Sequence, residues 1–204
     1  MKCLRAFCLV ACCVVPALGT TVNGVFAPPT NDLGSSYTYM FSGFTVTASG
    51  FTDGGSPVDL FGKTAGAGET GVGLVNDPTG AHEITNGSFI QLDVSSLSGF
   101  GALTITMNST TSGETWKVTE TNMSGHLGST IPSCSVFNCI GTSETPFTVS
   151  PTMRFLDFTV PSNTQQWNVL LSEIEFQTTP EPMSFVLAGT GLLGLYFIRR
   201  RRAG

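Results

Sequence analysis

Ser88-Phe89-Ile90-Gln91-Leu92-Asp93-Val94 decides the fold class. Ile90, Leu92 and Val94 alternate with Gln91 and Asp93, so an extended chain here has one apolar side and one polar side. A repeat of two belongs to a strand, whereas a helix needs apolar residues three and four apart. The same alternation recurs downstream. Leu103, Ile105 and Met107 alternate with Thr104, Thr106 and Asn108. Trp116 and Val118 alternate with Thr115, Lys117 and Thr119, and Leu156, Phe158 and Val160 with Asp157 and Thr159. In the last such stretch, Leu170, Ser172, Ile174 and Phe176 are expected opposite Leu171, Glu173 and Glu175.

Further short runs at 37–48, 58–61, 72–75 and 147–149 raise the expectation to about nine half-buried strands. Turn signals punctuate them at Asp53-Gly54-Gly55, Asn86-Gly87, Ser112-Gly113 and Pro161-Ser162-Asn163. No stretch sustains a helical period. Many short strands with no helix between them predict an all-β chain, an antiparallel β-sandwich of jelly-roll-like type.

The ends have a different composition. The first residues, MKCLRAFCLVACCVVPALGT, place Lys2 and Arg5 ahead of an apolar run that Pro16 closes, followed by small residues at 17 and 19. That is the pattern of a secretory signal peptide over 1–19. A competing lipoprotein-like box, Leu9-Val10-Ala11-Cys12, lies too early to leave a full apolar run before it. Four of the six cysteines fall within 1–19, leaving Cys134 and Cys139. In an exported chain, two cysteines five apart are expected to form one disulfide closing a small loop. The body, 20–179, carries thirteen acidic and three basic residues, a net charge of −10. Such a surface repels phosphate backbones, which argues against a nucleic-acid partner.

After the body come Pro180, Glu181 and Pro182, an uncharged apolar run over 183–198, and Arg199, Arg200, Arg201 and Arg202. As a helix the run reaches roughly 24 Å, a short transmembrane span. The arginines keep the C-terminus cytoplasmic by the positive-inside rule. Tripeptide, apolar helix and arginine cluster in that order resemble the PEP-CTERM sorting tail of Gram-negative bacteria, over 180–204. The resemblance implies an exosortase, a membrane-embedded cysteine protease, as partner beside the secretion machinery, with Pro180, Glu181 and Pro182 as recognition residues. It implies anchoring in the inner membrane through 183–198, then removal of the tail and transfer of the body to the cell surface or extracellular matrix. It also implies a link to exopolysaccharide and biofilm. The stretch from Gly71 to Asp93 is similar to the bodies of other PEP-CTERM proteins, and that similarity implies no chemistry.

Catalytic signals in the body are sparse, so a non-enzymatic structural role is expected, with no cofactor. His82-Glu83 opens like a zinc-protease helix, but position 86 is Asn and the second ligand is missing. There is no Gly-x-Ser-x-Gly elbow and no phosphate loop. Glu173 and Glu175 share one strand face, roughly 7 Å apart, a spacing compatible with an inverting glycosidase and equally with a solvated face. Asp77 and Glu83 flank a Pro-Thr-Gly loop and are weak candidates for Ca²⁺; an Asx turn before Pro78 is the plainer expectation. Trp116 and Trp167 fit either a sugar-stacking platform or the core. A carbohydrate- or Ca²⁺-binding module is thus the alternative to a structural role, and a glycoside-acting enzyme a further one.

Overall fold

Ser42-Gly43 turns what the alternation suggested was one strand over 37–48 into a hairpin. Both residues have positive φ, 49° and 90°, the backbone of a two-residue hairpin turn whose twist matches its strands. Phe41 and Phe44 close it. The computed structural model describes residues 20–64, 69–110, 114–161 and 168–178. The proposed signal peptide, Trp167, Pro180, Glu181, Pro182, the 183–198 run and Arg199 to Arg202 lie outside the described residues, as do Ser112, Gly113, Ser162 and Asn163. Among the described residues, no helix is long and apolar enough to cross a membrane.

The strands are β1 (Thr21–Val25), β2 (Asn31–Gly34), β3 (Ser36–Phe41), β4 (Phe44–Thr52), β5 (Pro57–Val58), β6 (Leu60–Thr64), β7 (Thr70–Leu74) and β8 (Ser88–Asp93). They continue with β9 (Leu103–Asn108), β10 (Trp116–Thr121), β11 (Ser133–Cys134), β12 (Ile140–Gly141), β13 (Phe147–Ser150), β14 (Phe155–Thr159) and β15 (Leu170–Gln177). The first sheet runs β11-β13-β9-β15-β7-β6-β2, with β1 also on β15. The second runs β12-β10-β14-β8-β4-β3, with β5 also on β4. Pairing is antiparallel in both; β8, at the middle of the second sheet, lies antiparallel to both β4 and β14. From β8 onward successive strands alternate between the sheets, a jelly-roll-like path. The all-β sandwich expectation is met.

The alternating residues meet between the sheets. Val46, Ala48, Ile90, Leu92, Val118, Leu156 and Phe158 from the second sheet face Leu60, Leu74, Leu103, Ile105, Met107, Ile174 and Phe176 from the first. Phe26, after β1, meets Tyr39 and Phe41 edge-to-face at 4.7 and 5.6 Å. Trp116 is buried and stacks on Phe147 at 4.0 Å, while its ring N–H donates to the Ser143 carbonyl. Trp116 is therefore a core residue and no sugar platform.

Two readings of the alternation are corrected. In β15 the ladder with β9 slips between Leu171 and Glu173. A bulge there changes the facing parity, so Leu171, and not Leu170 or Ser172, joins Ile174 and Phe176 in the central cluster. The strand count is also higher than nine, because β1, β2, β11 and β12 lack a clean apolar alternation in sequence and because the runs at 37–48 and 58–61 each divide in two; β1 nonetheless places Val22 in the core. Cys134 and Cys139 form a disulfide, at the turn between β11 and β12.

Trp116→Ala removes the largest fully buried side chain among the described residues. We expect urea unfolding to show a loss of about 3–5 kcal/mol, the range for large aromatic truncations. A loss below about 1 kcal/mol would place Trp116 outside the core.

Candidate functional site

The outward face of the second sheet carries two polar rows. Thr47, Asp93 and Phe155 stand side by side on β4, β8 and β14, and Ser49, Gln91 and Asp157 form the next row. Alternation assigns this face to water. The chain after β10 instead crosses over the second row, so Phe89, Gln91 and Asp157 are buried like the core residues beside them. Half-buried strands are thus corrected to strands covered on both faces at the centre of this sheet.

The cover is tied down by hydrogen bonds. Gly125 donates its backbone N–H to Gln91 Oε1 at 3.0 Å, and Gly128 donates to Asp157 Oδ2 at 2.7 Å. Gln91 Nε2 donates to Asp157 Oδ1 at 2.8 Å. Gly125 lies against the Phe51 ring, where a Cβ would be crowded. At the adjacent corner, buried Glu120 accepts from the Thr152 and Met153 N–H groups at 2.7 and 3.1 Å and from the Thr152 hydroxyl at 2.6 Å. Burial raises the Asp157 carboxyl to about 6, against the hydrogen bonds from Gln91 and Gly128, which lower it.

In the first row Thr47 and Asp93 are half-buried and Phe155 is buried, and the exposed side chain beside them is Arg154. Arg154 donates from Nε and Nη2 to Asp93 Oδ2 at 3.1 and 2.6 Å, and its guanidinium lies 4.7 Å from the centre of the Phe155 ring. Partial burial would raise the Asp93 carboxyl, but the hydrogen bonds from Arg154 and Ser95 outweigh it and hold the group below its usual value. Arg154 borders two grooves. One, of about 530 Å³, runs past Val94, Leu97 and Met153; the other, of about 260 Å³, is lined by Thr47, Ser49, Asp93 and Ser124. Hydroxyls, one carboxylate, one guanidinium and apolar floor together suit a polyhydroxylated ligand. No sequence pattern announced this cluster, because Asp93 and Arg154 are sixty-one residues apart.

The residues singled out in the sequence do not converge on it. Asp77 accepts from the Thr79 N–H at 2.9 Å, from the Thr79 hydroxyl and from the Glu83 N–H at 3.2 Å, an Asx turn. Glu83 accepts from Lys63 Nζ at 2.6 Å and from the Ser109 hydroxyl at 2.9 Å, and Lys63 also pairs with Glu69. The oxygens of Asp77 and Glu83 therefore face protein donors. Among the described residues no group of three His, Cys, Asp or Glu side chains is arranged to hold a metal. His82 stacks on Phe61 at 3.9 Å, and His126 is exposed on the cover. Glu173 lies beside Val25 and Thr106, and Glu175 beside Asn23 and Thr104, on the outward face of the first sheet.

Residues 178–202 match the PEP-CTERM protein-sorting motif. Pro180, Glu181, Pro182 and the arginines from 199 to 202 fall within the match. The chain thus ends in an exosortase substrate tail, and the motif implies an exported surface protein processed by that enzyme. No curated protein and no solved structure matches the chain.

The raised Asp157 carboxyl sets a pH dependence. Its stabilising contribution is complete below the usual carboxylate range and is lost as pH rises through about 6. Unfolding of the wild type and of Asp157→Asn, compared from about pH 4 to about pH 7, should show the wild type losing stability relative to the variant. Parallel curves would mean that Asp157 is not held in a desolvated site.

Proposed function

We propose that this protein is a non-enzymatic structural component of the cell surface or extracellular matrix, associated with exopolysaccharide and biofilm. The observation that carries the reading is the use of the buried acids. Asp157 ties down the cover over the second sheet, Glu120 holds the turn before β14, and Glu83 pairs with Lys63. Each is committed to joining chain segments, an arrangement suited to a durable body. The row around exposed Arg154 supports extracellular polysaccharide as its partner, since hydroxyl-rich chains can exchange hydrogen bonds with Arg154 and Thr47, and with half-buried Ser49 at the edge of the next row. That same row favours the second reading, a carbohydrate-binding module.

Delivery and role are tested separately. Changing Pro180, Glu181 and Pro182 together to Ala, or deleting 199–202, should leave export intact and block maturation and release. Release of such variants at wild-type size and rate would contradict sorting through the tail. For the role, we expect a deletion strain to form a less cohesive matrix with unchanged polysaccharide chain length. Altered chain length would point to an enzyme acting on the polymer.

A further inference from the structure

We propose that the protein pairs with a second copy of itself through the free edge of β3, joining two second sheets into one continuous sheet. Among the described residues, β3 ends the second sheet and only β4 is bonded to it. The hairpin fixes which of its backbone groups are free. The pair closing a two-residue turn is hydrogen-bonded, and bonded pairs alternate with non-bonded ones. Phe41, Tyr39 and Tyr37 therefore bond inward to β4. The Gly50 N–H to Ser35 carbonyl bond, at 3.1 Å, continues the same phase. Ser36, Thr38 and Met40 point their N–H and C=O groups away from β4, and no described residue pairs with them.

Side chains agree with backbone. Ser36, Thr38 and Met40 are exposed, and Met40 is 75% exposed, while Tyr39 and Phe41 are buried beneath the sheet. An antiparallel partner on this edge must pair even-numbered residues with even-numbered ones, so that exposed side chains share a face. A second β3 satisfies this about a two-fold axis at Thr38: Thr38 meets its twin, and Ser36 meets Met40 in both directions. Three such residues per strand give about six hydrogen bonds across the seam.

The edge also lacks the usual guards against pairing. Exposed edge strands are ordinarily shortened, charged, bulged or interrupted by proline. β11 and β12 have two residues each, and β2 carries Asp32 and a register shift. β1 is interrupted by Gly24 and followed by Pro28-Pro29. From residue 33 to residue 52, β3 and β4 contain no Asp, Glu, Lys, Arg, His or Pro, although the body carries a net charge of −10. Charge is thus kept away from this one seam, and with the other edges blunted the association closes as a two-fold dimer. The inference is independent of the matrix role.

The test uses the processed protein recovered from its host. Sedimentation should give twice the monomer mass, with dimer increasing as salt screens the acidic bodies from each other. Thr38→Lys places two like charges opposite each other and should return the protein to a monomer with an unchanged circular dichroism spectrum. Thr38→Cys should form an inter-chain disulfide under mild oxidation, since paired Cα atoms on neighbouring strands lie within disulfide reach. A Cys at exposed Thr145, in the loop after β12 at the opposite edge of the second sheet, serves as the control. A monomeric wild type, a Thr38→Lys variant that still dimerises, or Thr38→Cys linking no faster than the Thr145 control would each overturn the proposal.

Discussion

Strand β15 has three neighbours: β9 along one side, and β1 and β7 along the other. It is also the last strand before the sorting tail. The first sheet therefore depends on the final segment of the body, and β1 cannot be paired until β15 arrives. Thr21 lies opposite Gln177, so the two ends of the body meet in one ladder. Closing a loop of that length costs entropy before any contact repays it. The sandwich is completed only when the whole body is free to pair, and the matched motif begins at Thr178, directly after β15.

The second sheet meets a different constraint. Its central strands are covered on both faces, so its polar residues must find partners inside the protein. Gln91 and Asp157 do so by holding the backbone of the cover, and Glu120 by holding the turn before β14. Asp157 accepts this position at the expense of its acidity. Polar groups fixed this way specify one arrangement of a long loop that apolar packing alone would leave underdetermined. The accessible chemistry is displaced to the neighbouring row, where Arg154 bridges Asp93 and Phe155 between two grooves.

The sequence carries the sandwich legibly because period-two alternation is a local property. Ile90, Leu92, Ile105, Val118 and Phe158 all face the core as read. Four features escape the pattern for physical reasons. The turn at Ser42-Gly43 carries the same Ser-Gly signal as Ser112-Gly113, but strand-forming residues on both sides make the run read as one strand. The bulge at Leu171 and Glu173 shifts parity without changing composition. The cover over Gln91 and Asp157 is a long-range contact, invisible to any window along the chain. The Asp93–Arg154 pair is hidden for the same reason. The sorting tail is legible because its three parts are contiguous, and the motif match covers them.

The motif at 178–202 implies a body that is exported, closes into its sandwich and is parted from its tail. The most direct measurement is the intact mass of the protein recovered from the surface or medium of its host. The account predicts a chain beginning at Thr20 and ending near Pro180. A chain that still carries Arg202 would contradict it and make the tail a permanent membrane anchor.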